Sequence, residues 1–201
     1  GKMDPGVERE PDERPDKPPC QDHPNKPNKE SDAVKQRKLE KELADAARKG
    51  DESKVQELLG SGVSADSLDG DEYPALMLAA WQGHASLVQC LLAANADVHK
   101  KDKPGWNALL RAANSGDAAM TALLLDANAA VDEPNNSKTT ALHLAGQGDH
   151  VAVVSLLLER GANINAKGIG RATPLDCAER YKAKAAVALL REKGAKREKE
   201  L

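Results

Sequence analysis

An all-α solenoid of stacked helix-turn-helix units is the fold this sequence predicts, and three columns of residues predict it. Leu43, Leu76, Leu109, Leu142 and Leu175 stand 33 residues apart, as do Ala46, Ala79, Ala112, Ala145 and Ala178, and Leu58, Leu91, Leu124, Leu157 and Leu190. Columns sharing one period mark repeated supersecondary units, each too small to bury its apolar face alone and stable only against its neighbours.

Each unit reads alike. In the fourth, Leu142-His143-Leu144-Ala145 and Val153-Val154-Ser155-Leu156-Leu157-Leu158 are apolar segments whose residues recur three and four apart, as one buried helical stripe requires. Residues 141–147 and 151–160 are therefore expected as an antiparallel helix pair. The alanine column lets neighbouring helices approach. After the second helix comes the column Gly62, Asn95, Asn128, Gly161 and Gly194. It suits a left-handed helix end, a conformation that Gly adopts freely and Asn tolerates best of the rest. Between the helices Gly50, Gly83 and Gly116 meet the same demand. Asp149 is an acceptable substitute there and Lys182 is not, so the inter-helix turn of the last unit is expected to differ.

Thr140-Ala141-Leu142-His143-Leu144-Ala145, Thr173-Pro174-Leu175, Gly83-His84 and Leu157-Leu158-Glu159-Arg160-Gly161-Ala162-Asn163-Ile164-Asn165 recur in phase, and this pattern resembles the ankyrin repeat. The resemblance spans about residues 36 to 196, or five units. It implies a solenoid with β-hairpin loops between the helix pairs, a non-enzymatic binding role, and a concave groove lined by hairpin loops and first helices. The family's histidine, which ties adjacent hairpin loops together, survives only as His143. Met77, Leu110 and Asp176 replace it elsewhere, so looser loops are expected at those units.

The ends read as caps. Lys54 and Glu57 occupy positions that are Leu87 and Cys90 in the next unit; at the other end Glu179 replaces a small Ala and Arg191 replaces Leu158. The expected division is a tail over 1–34, units over 35–68, 69–101, 102–134, 135–167 and 168–196, and a charged C-terminal tail over 197–201. Residues 1–34 hold Pro5, Pro11, Pro15, Pro18, Pro19, Pro24 and Pro27 and few apolar side chains, a composition that cannot offset its ordering entropy and is expected to be disordered. Pro24-Asn25-Lys26-Pro27-Asn28-Lys29 has a P-x-x-P-x-K spacing that proline-recognising grooves accept. A solvated tail is the plainer reading, and Gly1-Lys2 reads as an expression scar.

A formal charge of −3 supplies no field to recruit nucleic acid or an anionic membrane. No apolar run reaches spanning length, so no membrane association is expected. Cys20, Cys90 and Cys177 form no disulfide framework, which points to a reducing compartment: cytoplasmic, with the nucleus as the other choice. No cofactor, metal or catalytic residue is expected, because no nucleophile, base or metal-ligand set stands at a recognisable spacing. Gly168-Ile169-Gly170 reads as a turn, and His84 and His150, in one column, as structural. Asn135-Asn136-Ser137 is a glycosylation sequon that matters only on a secreted chain. Leu91 with Asp97-Val98-His99 is similar to a site that an ankyrin-directed dioxygenase hydroxylates.

The chain has two Trp, two Tyr and no Phe, and all four aromatics are expected outside the core. Tyr73 and Trp106 share one hairpin-loop position; Trp81 and Tyr181 follow the alanine column. Trp and Tyr bring large, stiff area and dominate binding hot spots. With Gln82, Asn114, Ser115, Thr139, Gln147, Arg171 and Arg180 at equivalent places, they form the expected protein-binding surface: an apolar centre with a basic rim, beside a second basic cluster at Lys100, Lys101 and Lys103. A monomer that binds another protein carrying an acidic and apolar segment is the reading, and an inhibitor or chaperone of one client is the alternative. A metal-dependent enzyme is the remote one. Arg111 stands where other units have Leu78, Leu144 and Cys177, so it must snorkel or meet an acid.

Overall fold

The computed structural model describes residues 29–201. Ten α-helices follow in pairs among them: α1 (Lys29–Lys49) and α2 (Glu52–Gly60), α3 (Ala75–Trp81) and α4 (Ala85–Ala93), α5 (Ala108–Ser115) and α6 (Ala118–Asp126), α7 (Ala141–Gln147) and α8 (Val151–Glu159), α9 (Pro174–Arg180) and α10 (Lys184–Glu192). The first helices form one row, in which α1, α3, α5, α7 and α9 each pack on the next; α2, α4, α6, α8 and α10 form the second.

Both leucine columns and the alanine column are buried throughout, and each buried Leu contributes roughly 2 kcal/mol of apolar transfer. Caps set the helix starts. Asp51, Asn107 and Asp117 accept backbone N–H bonds from Lys54, Leu110 and Met120 at 3.0, 2.9 and 2.9 Å, satisfying donors that a helix N-terminus leaves open. Thr173 and Asp176 form a capping box ahead of Pro174.

Every residue of the helix-end column has positive φ, from Asn95 at 62° to Gly62 at 89°. The inter-helix column does too, and here the expectation for the last unit is corrected. Lys182 has φ 61°, and Ala183 N–H bonds Ala178 O at 2.9 Å just as His84 N–H bonds Ala79 O at 3.0 Å. Burial of Ala183 and Ala178 holds the turn in place and Lys182 absorbs the strain, roughly 1 to 2 kcal/mol for a left-handed residue other than Gly.

Two ends differ from the expected boundaries. Helix α1 begins at Lys29, ahead of the expected edge at 35, and its residues 32–38 are exposed; from residue 32 onward the first fully buried side chain is Leu43. Residues 1–28, with most of the expected tail, lie outside the described residues. At the other end residues 197–201 fold back instead of trailing. Glu198 N–H donates to Asp176 at 2.9 Å, and Lys196 N–H donates to Asn165 at 2.8 Å. The two residues that replace apolar ones on the terminal face meet each other, Arg191 Nη2 to Glu179 Oε1 at 2.5 Å.

The loops close as hairpins, with Asp69 N–H to Tyr73 O at 3.0 Å, Asp102 N–H to Trp106 O at 2.9 Å and Asn135 N–H to Thr139 O at 3.1 Å, and the first adds Ala75 N–H to Ser67 O at 3.1 Å. Among the described residues the β character is confined to one bridge, Leu68 with Pro74. His143 does tie loops, its Nε2 reaching Ala172 O at 3.0 Å. The third hairpin is tied to the second without a histidine: Asn136 N–H and Nδ2 donate to Pro104 O and Lys103 O at 3.2 and 2.8 Å.

Candidate functional site

The second and third units bring Tyr73, Trp81 and Trp106 together around Arg111. Asp102 opens the hairpin, and its Oδ1 accepts the Trp106 N–H at 2.7 Å, which fixes the loop. Its Oδ2 accepts from Arg111 Nη2 at 2.9 Å. The Asp102 side chain is wholly buried and that of Arg111 is 13% exposed, so the open question about Arg111 is answered: it meets an acid. The guanidinium carbon lies 4.2 Å from the Trp81 ring centre, 4.5 Å from that of Trp106 and 5.9 Å from that of Tyr73. At these distances a desolvated cation is attracted to an aromatic face by about 2 kcal/mol. Arg111 Nε is buried without a partner, so stacking and the single carboxylate bond hold the group.

The aromatics therefore differ in kind. Trp81 and Tyr181 are 44% and 57% exposed. Tyr73 and Trp106 are half-buried and pack against the core, because the Asp102 and Asp69 turns fold their loops inward. That corrects the expectation that all four stand outside it. Gln82, Asn114 and Ser115 are exposed at the ends of α3 and α5; Thr139 and Gln147 are half-buried one unit further on. Arg171, Arg180 and Tyr181 are exposed on the last unit, and Tyr181 stands three repeats from Gln82 in register.

The expected basic features are neutralised. Arg171 pairs with Glu198 at 3.1 Å, and the cleft beside Arg180 sets Asp176, Glu179 and Glu198 against Arg180 and Lys199, so the far end is of mixed charge rather than basic. Lys101 pairs with Glu133 at 2.8 Å, Lys103 with Glu72 at 3.1 Å and Lys100 with Asp66 at 3.9 Å. Opposite charges on successive hairpins face one another, which removes the reason for an acidic partner segment.

Other candidates resolve into structure. His84 and His150 Nε2 lie 3.3 and 3.2 Å from Arg48 O and Asn114 O of the preceding unit, and Gly168-Ile169-Gly170 is a turn with Gly170 at φ 61°. Asn135 of the sequon is buried, its Oδ1 accepting from Ser137 and Thr139 N–H at 2.9 and 3.0 Å. His99 is exposed and lies 3.6 Å from Glu133. Burial pushes the half-buried Cys177 thiol up. Burial raises the Asp176 carboxyl, but bonds from Thr173 and Glu198 N–H and the Thr173 hydroxyl outweigh it and hold the group below its usual value. No helix among the described residues is long and apolar enough to cross a membrane.

No curated protein matches the chain. A family model, described as ankyrin repeats (3 copies), matches residues 43–131, 76–168 and 133–200, windows that cover both helix rows and every hairpin. Proteins built of these repeats are in general non-enzymatic modules of protein–protein interaction. With the 33-residue columns buried, the left-handed positions filled and three overlapping matches along the array, this chain belongs to the ankyrin repeat family.

Proposed function

We propose that this chain is a non-enzymatic adaptor that grips another protein through the surface of its second and third units, with Trp81 as the anchor. One observation carries the reading: a large aromatic ring is left 44% exposed yet is held by a guanidinium 4.2 Å away. A side chain already ordered in the free protein gives up little rotamer entropy on binding, which is why stiff aromatics act as hot spots. The exposed amides and hydroxyl of Gln82, Asn114 and Ser115 supply the polar rim. Since the hairpin lysines are paired, the anchor selects an apolar partner segment rather than an acidic one.

The test is affinity capture with the whole chain and mass spectrometry, followed by titration of the captured protein. Trp81→Ala is expected to weaken that complex by about 2 kcal/mol, roughly thirtyfold, as hot-spot truncation does. Folding stability should fall too, by about 1 to 2 kcal/mol for the lost Arg111 stack, so the titration is run well below the variant's melting midpoint. Undiminished affinity for Trp81→Ala would remove the surface from consideration.

A further inference from the structure

We propose that the partner segment gripped by Trp81 is extended and uncharged, and that one of its main-chain carbonyls accepts a hydrogen bond from Arg111 beside the apolar side chain that covers the ring. The inference rests on the reading of this surface as a binding site and names the chemistry of its occupant.

A guanidinium carries five N–H donors, and the protein employs only one nitrogen of Arg111. Nη2 donates to Asp102 Oδ2 at 2.9 Å, while Asp102 Oδ1 is turned to the Trp106 N–H. Nε is buried without a partner. Nη1 makes no hydrogen bond within the described residues either and, unlike Nε, is not buried. The site therefore keeps an open donor next to an exposed ring.

Covering the ring covers that donor. The Trp81 ring centre lies 4.2 Å from the guanidinium carbon, and only 13% of the Arg111 side chain is exposed, so a partner broad enough to bury Trp81 also takes Nη1 out of water. A buried charged donor left without an acceptor costs more than an ordinary hydrogen bond returns. A wholly apolar partner is therefore disfavoured, and the partner must bring an acceptor.

Charge decides which acceptor. The wholly buried Asp102 side chain already balances Arg111, and the nearby cations Arg48, Lys101 and Lys103 are paired with Asp69, Glu133 and Glu72. A second carboxylate would lose its water with no unpaired cation to meet it. A main-chain carbonyl is neutral and accompanies every apolar side chain. Within a helix it is taken by the N–H four residues on; in an extended segment it is open to Arg111.

Random peptides displayed on phage and selected on the whole chain supply the probe. The enriched peptide should be apolar, without Asp or Glu, and should bind Trp81→Ala about thirtyfold more weakly. Arg111→Lys keeps a cation opposite Asp102 but loses the guanidinium donor, and should weaken binding about tenfold, the scale of a charge-assisted hydrogen bond. Peptides with one peptide bond at a time replaced by an ester, whose carbonyl is a poorer acceptor, locate the contact. At one position the ester should weaken binding to the wild-type chain and leave binding to Arg111→Lys unchanged, a coupling that a merely structural role for Arg111 would not produce. In the 15N-labelled wild-type chain the Arg111 guanidinium resonances should shift on adding the peptide, a reading that no variant's folding affects. Ester effects equal on both chains, unmoved Arg111 resonances or enrichment of acidic peptides would overturn this inference while the Trp81 anchor stands. Peptides that bind Trp81→Ala undiminished would fail the adaptor reading and this inference with it.

Discussion

The third and fourth units share one backbone and hold their hairpins by opposite means. In the fourth, neutral groups suffice: Asn135 Oδ1 accepts two N–H bonds of its own loop, and buried His143 passes the connection on to Ala172. In the third, Asp102 makes the same turn with one oxygen and spends the other on Arg111, which the fourth replaces by Leu144. Asp and Asn are equivalent as turn acceptors, so the repeat tolerates either. Only the carboxylate can balance a buried cation, and that cation gathers the tryptophans. The aromatic cluster is an addition to a template that folds without it.

Making the third unit resemble the fourth breaks this comparison most severely. Arg111→Leu alone strands the buried Asp102 carboxylate, and urea unfolding should show a loss of about 3 kcal/mol, the scale of a broken buried pair. Adding Asp102→Asn should recover most of it, since a neutral turn then meets a leucine, as in the neighbour. A double variant no more stable than the single one would mean that charge balance is not what the cluster needs.

His143→Ala comes next, at about 2 kcal/mol, because it removes a buried ring and its bond to Ala172 O, which then keeps only the Gly168 N–H. The pH dependence sharpens the point. Burial pushes the His143 pKa below its ordinary 6.5, against the raising effect of the Ala172 and Ala166 carbonyls and the Asp132 charge. The unfolded chain therefore takes up its proton at a higher pH than the folded one. The contribution is complete above about pH 6.5 and declines as pH falls towards the folded value. Melting midpoints should drop on acidification below pH 6.5, and His143→Ala should flatten that slope; an unchanged slope would place the titration elsewhere.

The left-handed columns give the smallest effects. Gly161→Ala meets only the strain of φ 83°, as nothing lies within 4 Å of the added carbon, whereas at Gly116 that carbon would stand 2.5 Å from the His150 ring. Thermal melts should rank Gly116→Ala as the more damaging, with Gly161→Ala at about 1 kcal/mol and Asn128→Gly near neutral. Equal losses for the two glycines would deny His150 its place over the turn.

Periodicity made the helix pairs legible because buried leucines and left-handed glycines are chemically singular: few residues can replace Leu91 or Gly161. The hairpin tips were not legible. Glu72, Lys138 and Arg171 hold positive φ in register with Gly105, and residues of ordinary exposed type give no sign of that strain. Lys182 misled for the same reason. The aromatic surface was half legible. Tyr73, Trp81 and Trp106 share a neighbourhood by register, but their convergence on one guanidinium depends on Asp102, nine residues before Arg111. A repeat column cannot report a link between two different columns. The lysine cluster read as a basic patch because its acids, Asp66, Glu72 and Glu133, stand on adjacent hairpins.

The pairing of Glu179 with Arg191 bears on how such a chain could lengthen. A sixth unit appended after residue 196 would bury that pair against apolar helices and strip it of water, at a penalty of several kcal/mol per ion. A duplicated block of 33 residues inserted between two middle units would meet leucine and alanine on both sides. Growth by internal duplication leaves the terminal chemistry intact, and it moves Trp81 away from Tyr181 by one step for each copy gained.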